Sequence, residues 1–579
     1  MRHFSQLGFV ALCAAGLTLS ACTKKSSTPE TASTAATETK DAAAIVPENA
    51  AIQGIDVARK AVAINLVDEP KTLDAQKADD TIALTILNHV QEGLVRMDAR
   101  NVVVPGMAES WKETSPTSYE FKLRTTNVWS DGKPVTAGDF VYAWQRGVDP
   151  KTASPYAFIL FYLKNAQAIN EGKMPLDQLG VKAVDDHTLV VTLENPTGFF
   201  LRVLPFATYA PSRKDIVELH GEKYAADADK IPFNGPWTIT EWNHNASIKL
   251  VKNEKYWNKD AIAINEINMP YLIRDENSEY NMFKAGKYAL MQTISKELLP
   301  NAQESKFQIR KYNSGTVWYL QVNTTRPTTA NKNLRKAIQF ALDRNEFVTQ
   351  VIGIPGAKPI YGIIPEYFPG VAKSYGEEYP LSFKDSDLET AKKHLAAAKK
   401  ELGVAEIPEI SILASDSNTA RRDMEYVQRY LKEKLGLQIK LDFQTFKVRL
   451  ERSDRKDFDI VYSGWGPDYL DAMTFADLHT SWNGNNNTGW KSAELDALIK
   501  TAMSSTDAKV RLDAMAKTEE ILVEDAPIIP IYQAARVYVQ DPRLVGVLRR
   551  TVGPDPDFYY ARIVDTVATA PAGTDAAKK

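Results

Sequence analysis

Cysteine is the scarcest chemically active side chain in this 579-residue sequence, with only Cys13 and Cys22. Both lie at the start, so the rest of the chain has no disulfide framework, no thiolate nucleophile and no cysteine-based metal site. Histidine is sparse as well. The seven lie at 3, 89, 187, 220, 244, 394 and 479, no two at metal-ligand spacing and none beside a plausible nucleophile. The motifs G-x-S-x-G, H-E-x-x-H and G-x-x-x-x-G-K-S/T are missing. These gaps argue against an enzyme and imply no cofactor and no metal. Positive charge is not in excess either: 70 Lys and Arg stand against 73 Asp and Glu, which gives no footprint for nucleic acid. The apolar stretch Leu7 to Leu19 is too short to span a bilayer.

What is present begins with that stretch. Arg2 and His3 precede it, and small residues follow, which is the order of a secretory signal peptide. Its last four residues, Leu19-Ser20-Ala21-Cys22, look like a bacterial lipobox, with Cys22 as the lipidated first residue of the mature protein. The competing reading is an ordinary signal with an incidental cysteine. Residues 23–44 are rich in Ala, Thr, Ser, Glu and Lys and lack large apolar side chains. Such a segment cannot bury enough surface to offset its ordering entropy. Residues 23–60 therefore read as a flexible tether, and 567–579 as a tail of the same character.

The ordered part is expected from Ala61. AVAINLV reads as a buried strand, and 80–93 as a helix that stops at Gly93. Thr136 stands as the N-cap of another helix, with Asp139 three residues on. Residues 333–353 read as one amphipathic helix capped by Gly353, and 386–403 as a helix with Ser386 and Glu389 at capping-box spacing. Strand 409–416, helix 419–436 and strand 437–443 form a βαβ unit, and 457–465 adds a parallel strand.

That places SGWGPDYLDAMTF, residues 463–475, at the C-terminal end of a buried strand, where open α/β sheets hold ligands. Gly464 and Gly466 permit close backbone approach, and Pro467 fixes the turn. Asp468 is then either a ligand-binding carboxylate or a turn and cap residue. Trp465 is either site or core, and Asp471 is read as a helix cap.

The chain resembles the extracytoplasmic peptide-binding proteins of ABC importers, the oligopeptide/dipeptide/nickel family. The resemblance rests on EPKTLD (69–74), EGLVRMD (92–98), VVPGMAESW (103–111), YEFKLR (119–124), WSDGKPVTAGDFVYAW (129–144), FNGPW (233–237), LRKAIQFALDR (334–344), DFDIVYSGWGPDY (457–469) and NNNTGW (485–490), in family order. It implies an α/β, two-lobed periplasmic-binding-protein fold (type II, cluster C-like) with mixed sheets and an extra inserted domain. Lobe I would comprise 61–91, 216–315 and 534–566, the inserted domain 92–215 and lobe II 316–533.

The implied function is lipid-anchored capture of short peptides at the cell envelope and delivery to inner-membrane ABC permease subunits. The receptor would be a periplasmic monomer that meets the membrane only through its lipid. By the same resemblance Asp468 would bind the peptide's N-terminal ammonium, with Trp465, Gly464, Asp79, Tyr532 and Tyr156 lining the site. The enteric members carry an arginine three residues before the binding tryptophan. Here Tyr462 stands there, and Arg452 or Arg449 is the candidate replacement. The rival reading is a same-fold receptor for haem, a nickel chelate, a murein or antimicrobial peptide, or host-peptide capture and adhesion.

Overall fold

A computed structural model describes residues 54–564 except Tyr271. The signal peptide, Cys22, residues 23–53 of the tether and the tail 567–579 lie outside the described residues. Order begins earlier than the composition suggests. Ile55–Asp56 pairs antiparallel with Ala61–Ala63, and Ile55 is buried, so the last residues assigned to the tether belong to the fold.

Three main sheets organise the chain. The first runs Ile55–Asp56, Ala61–Ala63, Glu266–Met269, Ser247–Lys252, Trp237–Asn243, with the second and third strands parallel. The second is antiparallel and lies wholly within 92–215: Ala108–Ser115, Ser118–Leu123, Thr188–Thr192, Val181–Asp185. The third has seven strands. Its path is Leu290–Met291, Ile528–Gln540, Ile309–Val322, Ile460–Trp465, Ile410–Ser415, Ile439–Gln444, with Lys358–Pro359 beside Ile528–Gln540.

Within that third sheet the predicted βαβ unit is present. Ile410–Ser415 pairs parallel with Ile439–Gln444 through the helix Asn418–Leu435, and also parallel with Ile460–Trp465. Apolar side chains of these strands and of Lys332–Ala341, Leu388–Leu402 and Asn418–Leu435 share one core cluster. A larger cluster joins the first two sheets to residues 469–476.

The longest pairing is antiparallel, Ile309–Val322 with Ile528–Gln540. It runs from Ile309↔Val539 to Asn313↔Ala535, breaks, and resumes at Val317↔Gln533. Gly315 lies in the break at φ +75°, a conformation that a side chain strains. An added Cβ there would also stand 2.3 Å from the Thr551 carbonyl oxygen and 2.7 Å from the Pro467 ring. The break thus packs directly against the turn that carries Asp468.

Several helix boundaries differ from the sequence pattern, each for a local reason. The helix Thr81–Val90 is capped by Asp80, whose carboxylate accepts from the Ala83 N–H, and it ends at Gln91 in extended backbone rather than at Gly93. The segment 333–353 is not one helix. Lys332–Ala341 stops at Leu342, and Asp343 then caps a new start at Arg344. That second piece ends at Gly353 in the left-handed conformation. Asp387, not Ser386, caps Leu388–Leu402. The Thr136–Asp139 capping box is present.

Candidate functional site

Asp468 sits on the loop after Ile460–Trp465. Its backbone N–H donates to Thr474 Oγ1 at 3.0 Å, which fixes the turn without using the carboxylate. Among the described residues the carboxylate has one hydrogen bond, from the Tyr156 hydroxyl to Oδ1 at 3.3 Å, and no cation pairs with it. Burial pushes its pKa well above the usual carboxylate range, and the Tyr156 hydrogen bond offsets only part of this. A carboxylate so placed is costly when charged unless a positive group joins it.

Tyr156 comes from the inserted segment and Trp465 from the third sheet. Their rings stack at 6.0 Å and 27°. Phe158 and Phe206 pack on the other sides of Tyr156, at 5.4 and 4.5 Å. The Trp465 indole N–H is buried and has no acceptor. Together these give an anion, an aromatic wall and a free donor at one place, which suits a ligand carrying an ammonium followed by carbonyl groups.

Asp79 lies immediately before Asp80, the cap of the helix Thr81–Val90. Its Oδ2 accepts from Lys71 Nζ at 3.0 Å, while Oδ1 is buried without a partner, and the side chain is only 5 % exposed. Burial raises its pKa against the opposing pull of Lys71. Lys71 also reaches Asp454 at 2.6 Å, so one ammonium links residues 71–79 to the helix Phe446–Asp454. A cavity of about 710 Å³ opens beside this pair, lined also by Ser154, Pro155 and Trp482.

The remaining sequence candidates fall elsewhere. Gly464 packs its α-carbon against Trp318, so close that a Cβ would stand 2.9 Å from the indole. Tyr532 stacks on the same Trp318 at 6.3 Å and 6° and sits in the core cluster of the third sheet. These two therefore share Trp318 as a neighbour, whereas Tyr156 contacts both Trp465 and Asp468. Tyr462, in place of the family arginine, donates to Asp423 at 2.9 Å on the Trp318 side of the sheet. The Arg452 guanidinium is taken by Asp442 at 2.7 Å and Asp457 at 3.1 Å. Asp471 accepts from the Met473 N–H and is clamped by Arg511 at 2.6 Å.

Other residues emerge only from the structure. Asp477 is buried with Oδ1 unpartnered, and burial plus the nearby Asp468 charge push its pKa up. Tyr469 stacks on Phe199 at 5.8 Å and its hydroxyl meets that of Tyr162 at 3.2 Å, a second contact between the inserted segment and the Asp468 loop. Arg511 lies over Phe199 at 4.4 Å. Nothing in the local pattern of LFYLK (160–164) or PTGFF (196–200) marks these partners, because they come from far along the chain. Among the described residues no group of His, Cys, Asp and Glu is arranged to hold a metal ion.

The sequence pattern of the bacterial extracellular solute-binding proteins, family 5 Middle, matches residues 102–487. This chain belongs to that family. As a family 5 solute-binding protein it has close relatives of known name. It is 34 % identical over 503 residues to the oligopeptide-binding protein OppA of Bacillus subtilis, covering 85 % of this chain and 90 % of that one. The solved structure of Listeria monocytogenes OppA bound to peptide superposes with a TM-score of 0.83 at 33 % identity, covering 88 % of this chain and all of that one.

A third relative reports on the lobes. The Escherichia coli murein tripeptide-binding protein MppA matches at TM-score 0.80 and 29 % identity, over 87 % of this chain and 98 % of that one. An unliganded open form of MppA matches at only 0.58 and 28 % identity, over 88 % and 98 %. The lobes of this two-lobed α/β receptor are therefore arranged as in the peptide-bound relative, not as in the open one.

Proposed function

We propose that this protein captures short peptides between its lobes and delivers them to an ABC importer, with Asp468 binding the peptide's N-terminal ammonium. The observation that carries the reading is the Asp468 carboxylate: enclosed, hydrogen-bonded once, and without a cation. A ligand ammonium supplies the missing charge. A hydrogen bond to a charged group contributes about 1.5–3 kcal/mol, and more is lost when one partner is left alone in a closed cleft. The Trp465 N–H and the unpartnered Asp79 Oδ1 are then a donor and an acceptor for the peptide that follows.

The relatives' names support a peptide ligand, since they are oligopeptide- and murein tripeptide-binding proteins. Closure follows from differential affinity: only a ligand that binds the closed arrangement better shifts the lobes toward it. The reading includes return of the peptide unchanged, a monomeric receptor, lobe boundaries at 315/316 and 533/534, and a lipid on Cys22. The lipid is tested separately, by mass spectrometry of the mature N-terminus and by loss of membrane association in Cys22→Ala.

The test of the peptide reading is a thermal shift on ligand-stripped protein with a mixture of three- to five-residue peptides, free or N-acetylated. At a hundred times its dissociation constant a ligand stabilises by about 2.7 kcal/mol. A shift with free peptides alone is the expected result. Equal shifts remove the amine anchor, and no shift with either removes the peptide reading.

A further inference from the structure

The loop that carries Asp468 begins where the longest strand pairing of the protein breaks. Trp465 ends its strand and pairs with Val317, the residue at which Ile309–Val322 resumes its register with Ile528–Gln540. Gly315, inside the break, lies against the Pro467 ring without room for a Cβ.

A third segment, residues 549–556, closes this corner. The Gly553 N–H donates to the Pro467 carbonyl oxygen at 3.1 Å, and Thr551 Oγ1 donates to the Asn313 carbonyl oxygen at 2.8 Å. The Thr551 carbonyl oxygen also presses on Gly315. The tip of the segment thus touches the break and the turn before Asp468 at once.

The base of the segment is fixed to both long strands. The Asp555 carboxylate accepts from Arg549 Nε at 2.7 Å and Nη2 at 3.0 Å, and from the Tyr312 hydroxyl. Arg549 Nη2 also donates to the Tyr312 hydroxyl at 2.8 Å. The Arg549 guanidinium lies 4.6 Å from the Tyr312 ring and 4.4 Å from the Tyr538 ring, one ring from each strand. The Arg549 and Asp555 side chains are only 3 % and 9 % exposed, so salt screens the pair little. Tyr312 and Tyr538 stand on one side of the register break, whereas Pro467 follows a strand paired on the other side.

We infer that residues 549–556 form a clasp across the hinge, with Tyr312, Arg549 and Thr551 as positioning residues for the ammonium anchor. The clasp rests on the peptide reading and the lobe boundaries proposed above, 315/316 and 533/534, which fall inside the break. Its base belongs to lobe I, and its tip holds the turn of lobe II that presents Asp468. The Gly553–Pro467 hydrogen bond is made when the lobes close and is lost when they part. A peptide that fixes Asp468 in the closed cleft therefore secures the clasp, and by reciprocity the clasp tightens peptide binding.

The test is hydrogen–deuterium exchange of the ligand-stripped protein with and without saturating tetra-alanine. Exchange should slow at least about threefold in residues 463–470 and also in 549–556, although the latter meet no peptide. Thr551→Val and Tyr312→Phe each remove one anchor. Both should bind tetra-alanine about two- to tenfold more weakly, mainly through faster dissociation. Both should show less protection of 549–556 and keep the wild-type preference for free over N-acetylated peptide. Protection of 463–470 without any at 549–556 overturns the clasp. Wild-type affinity and protection in both variants, even with a lower melting temperature, overturns it as well, since the anchors would then be merely structural. Should Thr551→Val fail to fold, Tyr312→Phe and the wild-type exchange decide. Protection of neither segment, with no heat of binding, would instead overturn the peptide reading itself.

Discussion

The Tyr156 hydroxyl reaches Asp468 Oδ1 across 312 residues of sequence, at 3.3 Å. Tyr156 belongs to the inserted segment and Asp468 to the loop after a strand of the third sheet. The hydrogen bond exists only while those two parts are together. It therefore couples the state of the carboxylate to closure, and it leaves the second oxygen for a ligand.

Tyr156→Phe removes this hydroxyl and keeps the ring stack on Trp465, Phe158 and Phe206. One hydrogen bond to a charged group is lost, so affinity for free-amine peptides should fall by roughly 10- to 100-fold with little change in melting temperature. Titration calorimetry alongside a thermal melt checks both. Unchanged affinity would mean that the hydroxyl does nothing for the anion.

Gly315→Ala tests the register break. The position combines φ +75° with a Cβ that would meet backbone and the Pro467 ring. The variant should lose about 1–3 kcal/mol of stability, measured as the denaturation midpoint. Because Pro467 precedes Asp468 directly, peptide affinity should fall with it.

Glu279 gives a pH prediction. It is buried, one oxygen is unpartnered, and burial raises its carboxyl to about 8, with the Asn65 hydrogen bond pulling the other way. The folded form thus holds a proton that the unfolded chain gives up near 4.5. Its contribution is favourable at low pH and is lost as pH rises from about 4.5 to 8. Glu279→Gln should flatten this slope and raise stability at pH 8 by about 1–3 kcal/mol, with little change at pH 5. Denaturant unfolding at both pH values checks it. A parallel downward shift at both would show that the carboxyl makes a needed bond.

The sequence made the architecture legible where its patterns are local. The βαβ unit at 410–444 is written in apolar spacing, and the Thr136–Asp139 capping box in two side chains. Helix breaks were harder, because Asp343 and Asp387 act as caps inside stretches whose amphipathic rhythm continues across them. The site was legible only on one side. Asp468 and Trp465 stand in a turn with its own signals, Tyr156 entered only through the family resemblance, and the Lys71–Asp454 link depends on contacts between distant segments that no local pattern marks. Tyr532, named as ligand-facing by the resemblance, stacks on Trp318, a partner that no local pattern of IPIYQAAR marks.

The central claim is that Asp468 binds a ligand ammonium, and the most direct measurement compares two proteins with two ligands. Titration calorimetry of wild type and Asp468→Asn, each with a free and an N-acetylated tetrapeptide, isolates the pair. The wild type should bind the free peptide at least about 100-fold tighter than the acetylated one. Asp468→Asn should bind both with similar, weak affinity while melting at or above the wild-type temperature. Retention of the free-amine preference in Asp468→Asn would contradict it.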